Sequence, residues 1–324
     1  MFMLEQILTK RKKSPSFNYD LIYEWEDVLS EKLDIPLVDE NQLVYNKIVR
    51  VVPFLPQAIQ TAKPSLVFDI YPTLIGRGGN KKNIIPVIVD FYHKDNGSLR
   101  KFYSSYSHNH VVLISSKEVY DFLKEHNCPL NIKHWGLSIS DKYSLEESLK
   151  MEKDIDLILM GRPSRVLQAW AEKYAESHPD FVYAYRIHKD GHWLCQNSRG
   201  DIVGNLDGRD GYMKTMQRAK CGLYNTPGMD GGESRTNGFN QVTPRFLEYI
   251  ACGCHVISRY PQNSDVAYYE LDKMTSNTET YEQFEKMMDY AVANPVDKEK
   301  YQKYLNKHVT STRAKELMDI LKTI

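Results

Sequence analysis

The residues with the densest chemical potential lie together, in positions 221–260, CGLYNTPGMDGGESRTNGFNQVTPRFLEYIACGCHVISRY. Gly228, Gly231, Gly232 and Gly238 fall within eleven residues, a spacing that lets backbone approach a ligand closely and take positive φ. The loop runs into Thr243-Pro244, an N-cap residue followed by proline at the first helical position, and the helix it opens ends at Gly253. A glycine-rich loop entering a helix aims free N–H groups and the positive end of the helix dipole at one spot, which suits a phosphate. Phe246, Leu247, Ile250 and Ala251 form the apolar face of that helix, and Arg245 and Glu248 stand one turn apart. This spacing has two readings. One is an intrahelical ion pair, which spacing alone favours. In the other, Arg245 meets a phosphate and Glu248 accepts hydrogen bonds from ribose hydroxyls.

A second group lies upstream. Pro86–Lys94 ends a strand with Asp90 and His93, groups able to orient or deprotonate a hydroxyl, a surface histidine being the simpler reading. Gly76-Arg77-Gly78-Gly79 is a flexible loop without the Lys-Ser/Thr ending of a phosphate-binding P-loop. Ser104–His110 is polar and aromatic and reads as a loop. Cysteines at 128, 195, 221, 252 and 254 are odd in number and scattered, which argues against a disulfide framework. Cys252-x-Cys254-His255 lacks a second ligand pair at zinc spacing, so buried, reduced thiols are expected and no metal. Nicotinamide, zinc-protease and serine-hydrolase motifs are absent, so no cofactor is expected; Asp154-Ile-Asp156 precedes a strand rather than ending it.

The elements that must position these groups follow from composition and pattern. The 324 residues suit about two domains. Hydrophobic residues are 42% and charged residues 26%, an ordinary globular balance. Basic and acidic residues number 42 each, which argues against a dedicated nucleic-acid binder. No apolar run is long enough to span a bilayer, and the N-terminus reverses the order of a secretory signal, so a cytosolic protein is expected. Strands are expected at Lys47–Val52, Ser65–Ile70, Ile84–Phe91, Val111–Ile114, Asn131–Trp135, Asp156–Met160, Phe181–Ile187, Gly222–Asn225 and His255–Ser258. Helices are expected at Tyr23–Leu33, Lys117–His126, Arg165–Glu176, Gly211–Ala219, Pro244–Cys252 and from Glu279 to the end. The opening 45 residues otherwise read as helix and irregular structure, and the stretch after Ile187, with Asp-Gly at 190–191 and 207–208, as turns. The alternation implies α/β units around mostly parallel sheets, with ligands outside the carboxyl ends of the strands.

The run Thr-Pro-Arg-Phe-Leu-Glu-Tyr-Ile-Ala-Cys-Gly-Cys-His-Val-Ile at 243–257 resembles the E-x-M-A-C-G signature of GT-B glycosyltransferases of the group 1 type. It is closer still to the R-x-x-E-x-x-A-C-G form of the group resembling spore-maturation (CgeB-like) glycosyltransferases. The resemblance covers about residues 150–290 by motif and 45–137 by element order. It implies a GT-B fold, two Rossmann-like domains facing across a cleft. Residues 1–145 would bind the acceptor, 146–308 the nucleotide-sugar, and 309–324 would be a helix crossing back to the first domain. Glu248 takes the place of the family's second acidic residue, which binds the ribose; the first acidic position is Asn240, with Glu233 or Asp230 as candidate substitutes. Thr243, Arg245 and the preceding loop would meet the phosphates. Asp154–Arg165 is similar to the family's strand-turn at the donor diphosphate, where Arg162 or Arg165 would add positive charge. Tyr224–Gly228, with Asn225 and Gly228, matches the strand leading into the donor loop. Asp90 and His93 fall near a family position that carries an acceptor-side histidine.

The implied function is metal-independent transfer of a sugar from a nucleotide-diphosphate-sugar to a hydroxyl acceptor, a sugar or a lipid-linked one, most commonly with retention, in cell-surface polysaccharide or glycoconjugate synthesis. Glu248→Ala is then expected to weaken nucleoside-diphosphate binding without unfolding the protein. Two alternatives stay open: a non-catalytic nucleotide-sugar scaffold or sensor, favoured by Asn240, and a sugar-nucleotide epimerase of the same fold. Lys10–Lys13 is either a solvated end or a peripheral contact with the inner face of an anionic membrane.

Overall fold

The structure, a computed structural model, describes residues 3–11, 17–39, 63–72, 79, 82–162 and 164–324. The expected strand Lys47–Val52 and most of the Gly76–Gly79 loop lie outside these residues. The chain divides into two compact units, Met1–Ser140 with Val309–Ile324, and Asp141–His308.

The first unit holds a sheet of β1 (Gln6–Thr9), β2 (Leu37–Asp39), β3 (Ser65–Asp69), β4 (Ile84–Ile88), β5 (Val112–Ile114) and β6 (Ile132–His134), all parallel, in the order β2-β1-β3-β4-β5-β6. β3, β4 and β5 are wholly buried, which is why β4 and β5 and the centre of β3 read as apolar runs. β1 and β2 correct the expectation of helix and irregular structure for the opening residues. They are four and three residues long, and β1 begins with a polar residue, Gln6, whose amide donates to Ser65 Oγ at 2.8 Å, so neither shows an apolar run. The connecting helices are α1 (Phe17–Leu33), α2 (Asn96–Tyr106) and α3 (Lys117–Glu125), the last capped by Ser116 Oγ accepting from Val119 N. α2 absorbs the first residues of the Ser104–His110 loop. The basic N-terminal cluster is partly committed: Lys10 lies over the Tyr19 ring and Arg11 pairs with Asp27 at 2.6 Å.

The second unit opens with α4 (Leu145–Lys150), whose packing against later helices of this unit draws the division to 140–141. β7 (Ile155–Leu159), α5 (Arg165–Ser177), β8 (Tyr183–Lys189), β9 (His192–Asn197), β10 (Ile202–Asn205), α6 (Arg209–Gln217), β11 (Ala219–Asn225), α7 (Pro244–Ala251) and β12 (His255–Arg259) follow. The sheet runs β10-β9-β8-β7-β11-β12, with the four strands β8, β7, β11 and β12 parallel and β9 and β10 added antiparallel. The stretch expected as turns is therefore a β8–β9–β10 meander. Asp190-Gly191, both at positive φ, turns β8 into β9. Both faces of these strands are partly exposed, so the alternation that marks a half-buried strand is blurred. The core on one face joins Leu157, Leu159, Leu167, Tyr174, Leu223, Ile257, Phe284 and Met288. Helices α8 (Ser264–Tyr268), α9 (Leu271–Met274), α10 (Tyr281–Ala293) and α11 (Lys298–His308) complete the unit, so the expected C-terminal helix is several. The chain then returns to the first unit as α12 (Thr310–Lys322), which packs on α1.

Candidate functional site

In the second sheet, the chain leaves β7 toward β8 on one side and later places β11 on the other. Loops after β7 and β11 therefore diverge, and the crevice at such a switch point is where open α/β sheets bind ligands. The loop after β7 carries Gly161, Arg162 and Ser164; that after β11 is the glycine-rich segment leading to α7.

These loops are tied together by their own polar groups. Asn225, at the end of β11, accepts from Ser164 N at 2.7 Å through its side-chain oxygen and donates to Thr226 O at 3.1 Å. Ser164 Oγ caps α5 and donates to Asp230 at 2.7 Å. Asp230 also accepts a fork from Arg259 at 2.7 and 2.6 Å, and these hydrogen bonds hold its carboxyl below the ordinary 3.8. An acid whose folded pKa is depressed contributes stability that is complete above its unfolded pKa and is lost as pH falls through the folded one. Asp230→Asn is therefore expected to flatten the acid side of the stability profile below about pH 4, read by urea unfolding at several pH values. An unaltered acid limb would show that this clamp adds nothing.

Asn240 accepts from Thr226 Oγ1 at 2.7 Å and donates to Gly238 O at 3.3 Å. Gly228 lies beneath it; a Cβ there would meet Phe239 O at 2.6 Å. Glu233 pairs with Arg162 at 2.7 Å and with Arg235. Both candidate substitutes for the acidic position, Asp230 and Glu233, are thus engaged by arginines. Arg165 stands exposed at the first turn of α5.

The N-terminus of α7 is different, because two of its buried polar atoms make no hydrogen bond. Thr243 is the N-cap residue in extended conformation, yet its hydroxyl makes no cap hydrogen bond, and Oγ1 is buried without a partner. Its N–H instead donates to Tyr224 OH at 3.0 Å. Arg245 points back toward the N-terminal end of the helix, as Cα–Cβ bonds do, and its guanidinium lies against Gly161. A Cβ on Gly161 would meet Arg245 Nη2 at 2.0 Å and Cζ at 2.4 Å. Arg245 Nε is buried without a hydrogen bond. An unpaired buried donor costs about 1–3 kcal/mol, more when charged, so the two orphaned groups mark a place shaped for an acceptor-rich ligand.

Glu248, one turn along, is 4% exposed and does not pair with Arg245, which corrects the intrahelical ion-pair expectation. It accepts from Arg209 Nη1 at 2.5 Å and from Tyr212 OH at 3.1 Å, both on α6. Burial first, then the Glu248 carboxylate, pushes the Tyr212 phenol well up, so it stays a donor. Sequence reasoning missed Arg209 and Tyr212. Their i, i+3 spacing after Asp207-Gly208 was the available signal, but Gly208 offers no side-chain cap to mark where α6 begins.

The Cys252 and Cys254 thiols lie on backbone carbonyls, His255 contacts Asn294 O at 2.9 Å, and burial pushes both thiols up. Among the described residues no cluster of three metal-ligating side chains occurs, and no helix is long and apolar enough to cross a membrane. In the first unit, Asp90 and His93 lie half-buried beyond the end of β4, in the loop leading to α2, with His93 edge-on to Phe91.

Two Rossmann-like units with parallel-dominated six-stranded sheets make this a GT-B fold, the fold of known glycosyltransferases. Sucrose-phosphate synthase from Thermosynechococcus elongatus superposes with a TM-score of 0.54 at 12% identity, over 88% of this chain and 80% of that one. AviGT4, a glycosyltransferase involved in avilamycin A biosynthesis, gives 0.54 at 12% identity over 98% and 97%. No curated protein matches the chain in sequence. The family described as Glycosyl transferase-like matches residues 145–319, more than half of the chain. The chain belongs to that family, and its class of activity is glycosyl transfer.

Proposed function

We propose that the chain transfers a sugar from a nucleoside-diphosphate sugar held on the second unit to a hydroxyl of a sugar or lipid-linked acceptor taken by the first. The observation that carries this reading is the pair of orphaned buried groups, Thr243 Oγ1 and Arg245 Nε, at the N-terminus of α7 beside Gly161. A diphosphate supplies acceptor oxygens for both, and the α7 dipole adds to the attraction. Glu248 has lone pairs left after Arg209 and Tyr212, and these would accept the ribose hydroxyls.

In transfer, the acceptor oxygen bonds the anomeric carbon as the bond from that carbon to the diphosphate oxygen breaks. Charge then grows on the leaving diphosphate. Arg245 and the Thr243 hydroxyl are held in place before the reaction, so they stabilise that charge without reorganising, and Arg162 would add to them by turning from Glu233. Asp90 or His93 would take the acceptor proton. Metal independence accords with this positioning mechanism; retention requires in addition that the acceptor oxygen approach on the face from which the diphosphate leaves, and both belong to the proposal.

A second reading, a nucleotide-sugar binder without turnover, draws on Asn240, whose amide is spent within the loop. Release of sugar or of nucleoside diphosphate from any nucleotide-sugar removes it.

Thermal unfolding in the presence of nucleoside diphosphates and nucleotide-sugars tests the donor site. A ligand at about a hundred times its Kd adds about 2.7 kcal/mol and raises Tm. Arg245→Gln is expected to abolish the shift while the unliganded protein still unfolds in one cooperative transition. Absence of any shift across the panel would sink the donor assignment.

A further inference from the structure

Resting on the donor reading above, we propose that the β8–β9 hairpin carries the nucleobase subsite, with Arg186 lying on the Trp193 indole and the outer face of the guanidinium stacking on the base.

Arg186 is on β8. Register pairs Leu159 with Tyr185, so Arg186 sits at the level where β7 ends and the Gly161 loop begins. Tyr183 and Tyr185 pack toward the core formed with α5 and α10, so by strand alternation Arg186 faces the opposite side. There it lies near Tyr212, Arg245 and Arg162.

Its guanidinium carbon stands 4.3 Å from the centroid of the Trp193 ring, on β9. No hydrogen bond or carboxylate engages it among the described residues. The surrounding charges aggravate this: burial first, then the like charges of Arg245 and Arg162, lowers the Arg186 pKa. Trp193 itself is 42% exposed. Its backbone N–H is pinned to Asp207 Oδ1 at 2.7 Å, and the neighbouring His192 contacts the other oxygen of Asp207 at 2.5 Å. The hairpin thus presents a large aromatic ring, backed by the His188 ring at 4.7 Å, beside a planar cation.

The order of groups across the sheet matches the order of parts in a nucleotide. Thr243 and Arg245 would take the diphosphate, and Glu248 the ribose. Tyr212, hydrogen-bonded to Glu248, interacts electrostatically with Arg186. One strand beyond β7, about 4.8 Å further on, comes the Arg186–Trp193 pair. A guanidinium laid flat on an indole directs its N–H groups sideways and leaves its outer face for a flat ring, the arrangement by which arginine and aromatic side chains hold splayed bases. Stacking tolerates any base, so the pair supplies affinity for a nucleoside without choosing among nucleosides.

Calorimetry with UDP and with pyrophosphate separates this from a phosphate contact. Trp193→Ala and Arg186→Lys, the second keeping the charge and losing the plane, are each expected to weaken UDP binding on the order of tenfold. Pyrophosphate affinity should stay within about twofold, since the diphosphate subsite is intact. Equal losses for both ligands would make Arg186 a phosphate ligand and overturn the proposal, as would unchanged UDP binding by both variants. Circular dichroism confirms folding, and Arg186→Lys guards against a packing loss at Trp193. A wild type that binds pyrophosphate but no nucleoside diphosphate, UDP, GDP or ADP, would overturn the donor reading together with this one.

Discussion

Glu248→Ala is expected to lower Tm on the order of 10 °C, even before any nucleotide is added. The carboxylate is buried against Arg209, whose side chain is 8% exposed, at 2.5 Å. Truncating one partner of a buried pair leaves the other charged in a poorly solvating place, a loss of about 3–5 kcal/mol. The buried pair thus adds a cost in stability to the loss of nucleotide binding expected of this substitution. A cleaner experiment removes both charges. Arg209→Met with Glu248→Leu is expected to recover most of the Tm, because a well-packed apolar pair can replace a buried ion pair at little cost. Nucleoside-diphosphate affinity should remain as low as in the single variant, since no carboxylate is left for the ribose. If the double variant binds like wild type, Glu248 serves the fold alone.

Gly161→Ala is expected to lower donor affinity at least tenfold with a modest loss of stability. The residue has φ +70°, a region that costs a residue with a side chain about 1–2 kcal/mol. The larger consequence is displacement, because the new methyl would occupy the space of the Arg245 guanidinium, 2.0 Å from Nη2. The long arginine can swing away, so the fold survives and the anion site does not. The signature is non-additivity: Gly161→Ala and Arg245→Ala should lower affinity about equally, and the double variant no further, because both remove one interaction. Additive losses in the four-way comparison would mean that Gly161 acts through its own backbone instead.

What could be read from sequence depended on whether the deciding contact was local. The cap at Thr243, the proline after it and the glycine closing the helix are neighbours in the chain, and α7 came out within a residue of its expected bounds. Wholly buried strands such as β3 and β4 announce themselves as apolar runs, although Ile84–Phe91 overreached because apolar Val89 and Phe91 continue past the last paired residue, Ile88. The partner of Glu248 was invisible because Arg209 lies on another helix, brought near only by packing against a shared sheet. Expecting α6 to begin at Gly211 also left Arg209 outside it. Likewise, Trp193 attracted no notice as one aromatic residue among turns. Its meaning depends on Arg186 across the hairpin, a diagonal contact that exists only once the strands are in register.

The return of the chain to the first unit has a consequence for synthesis. Trp135 Nε1 donates to Arg313 O at 2.9 Å, Arg313 Nε donates back to Gly136 O at 3.1 Å, and Ser138 Oγ meets Thr310 Oγ1 at 3.0 Å. These contacts bury Arg313 almost completely. Residues 141–308 contain the described strands and helices of the second unit, while the first needs α12 as well. Domains fold as units and, during synthesis, usually the N-terminal one first. Here the unit begun first is completed only by a helix translated after the whole of the second, so its folding is tied to a segment that begins only at Val309.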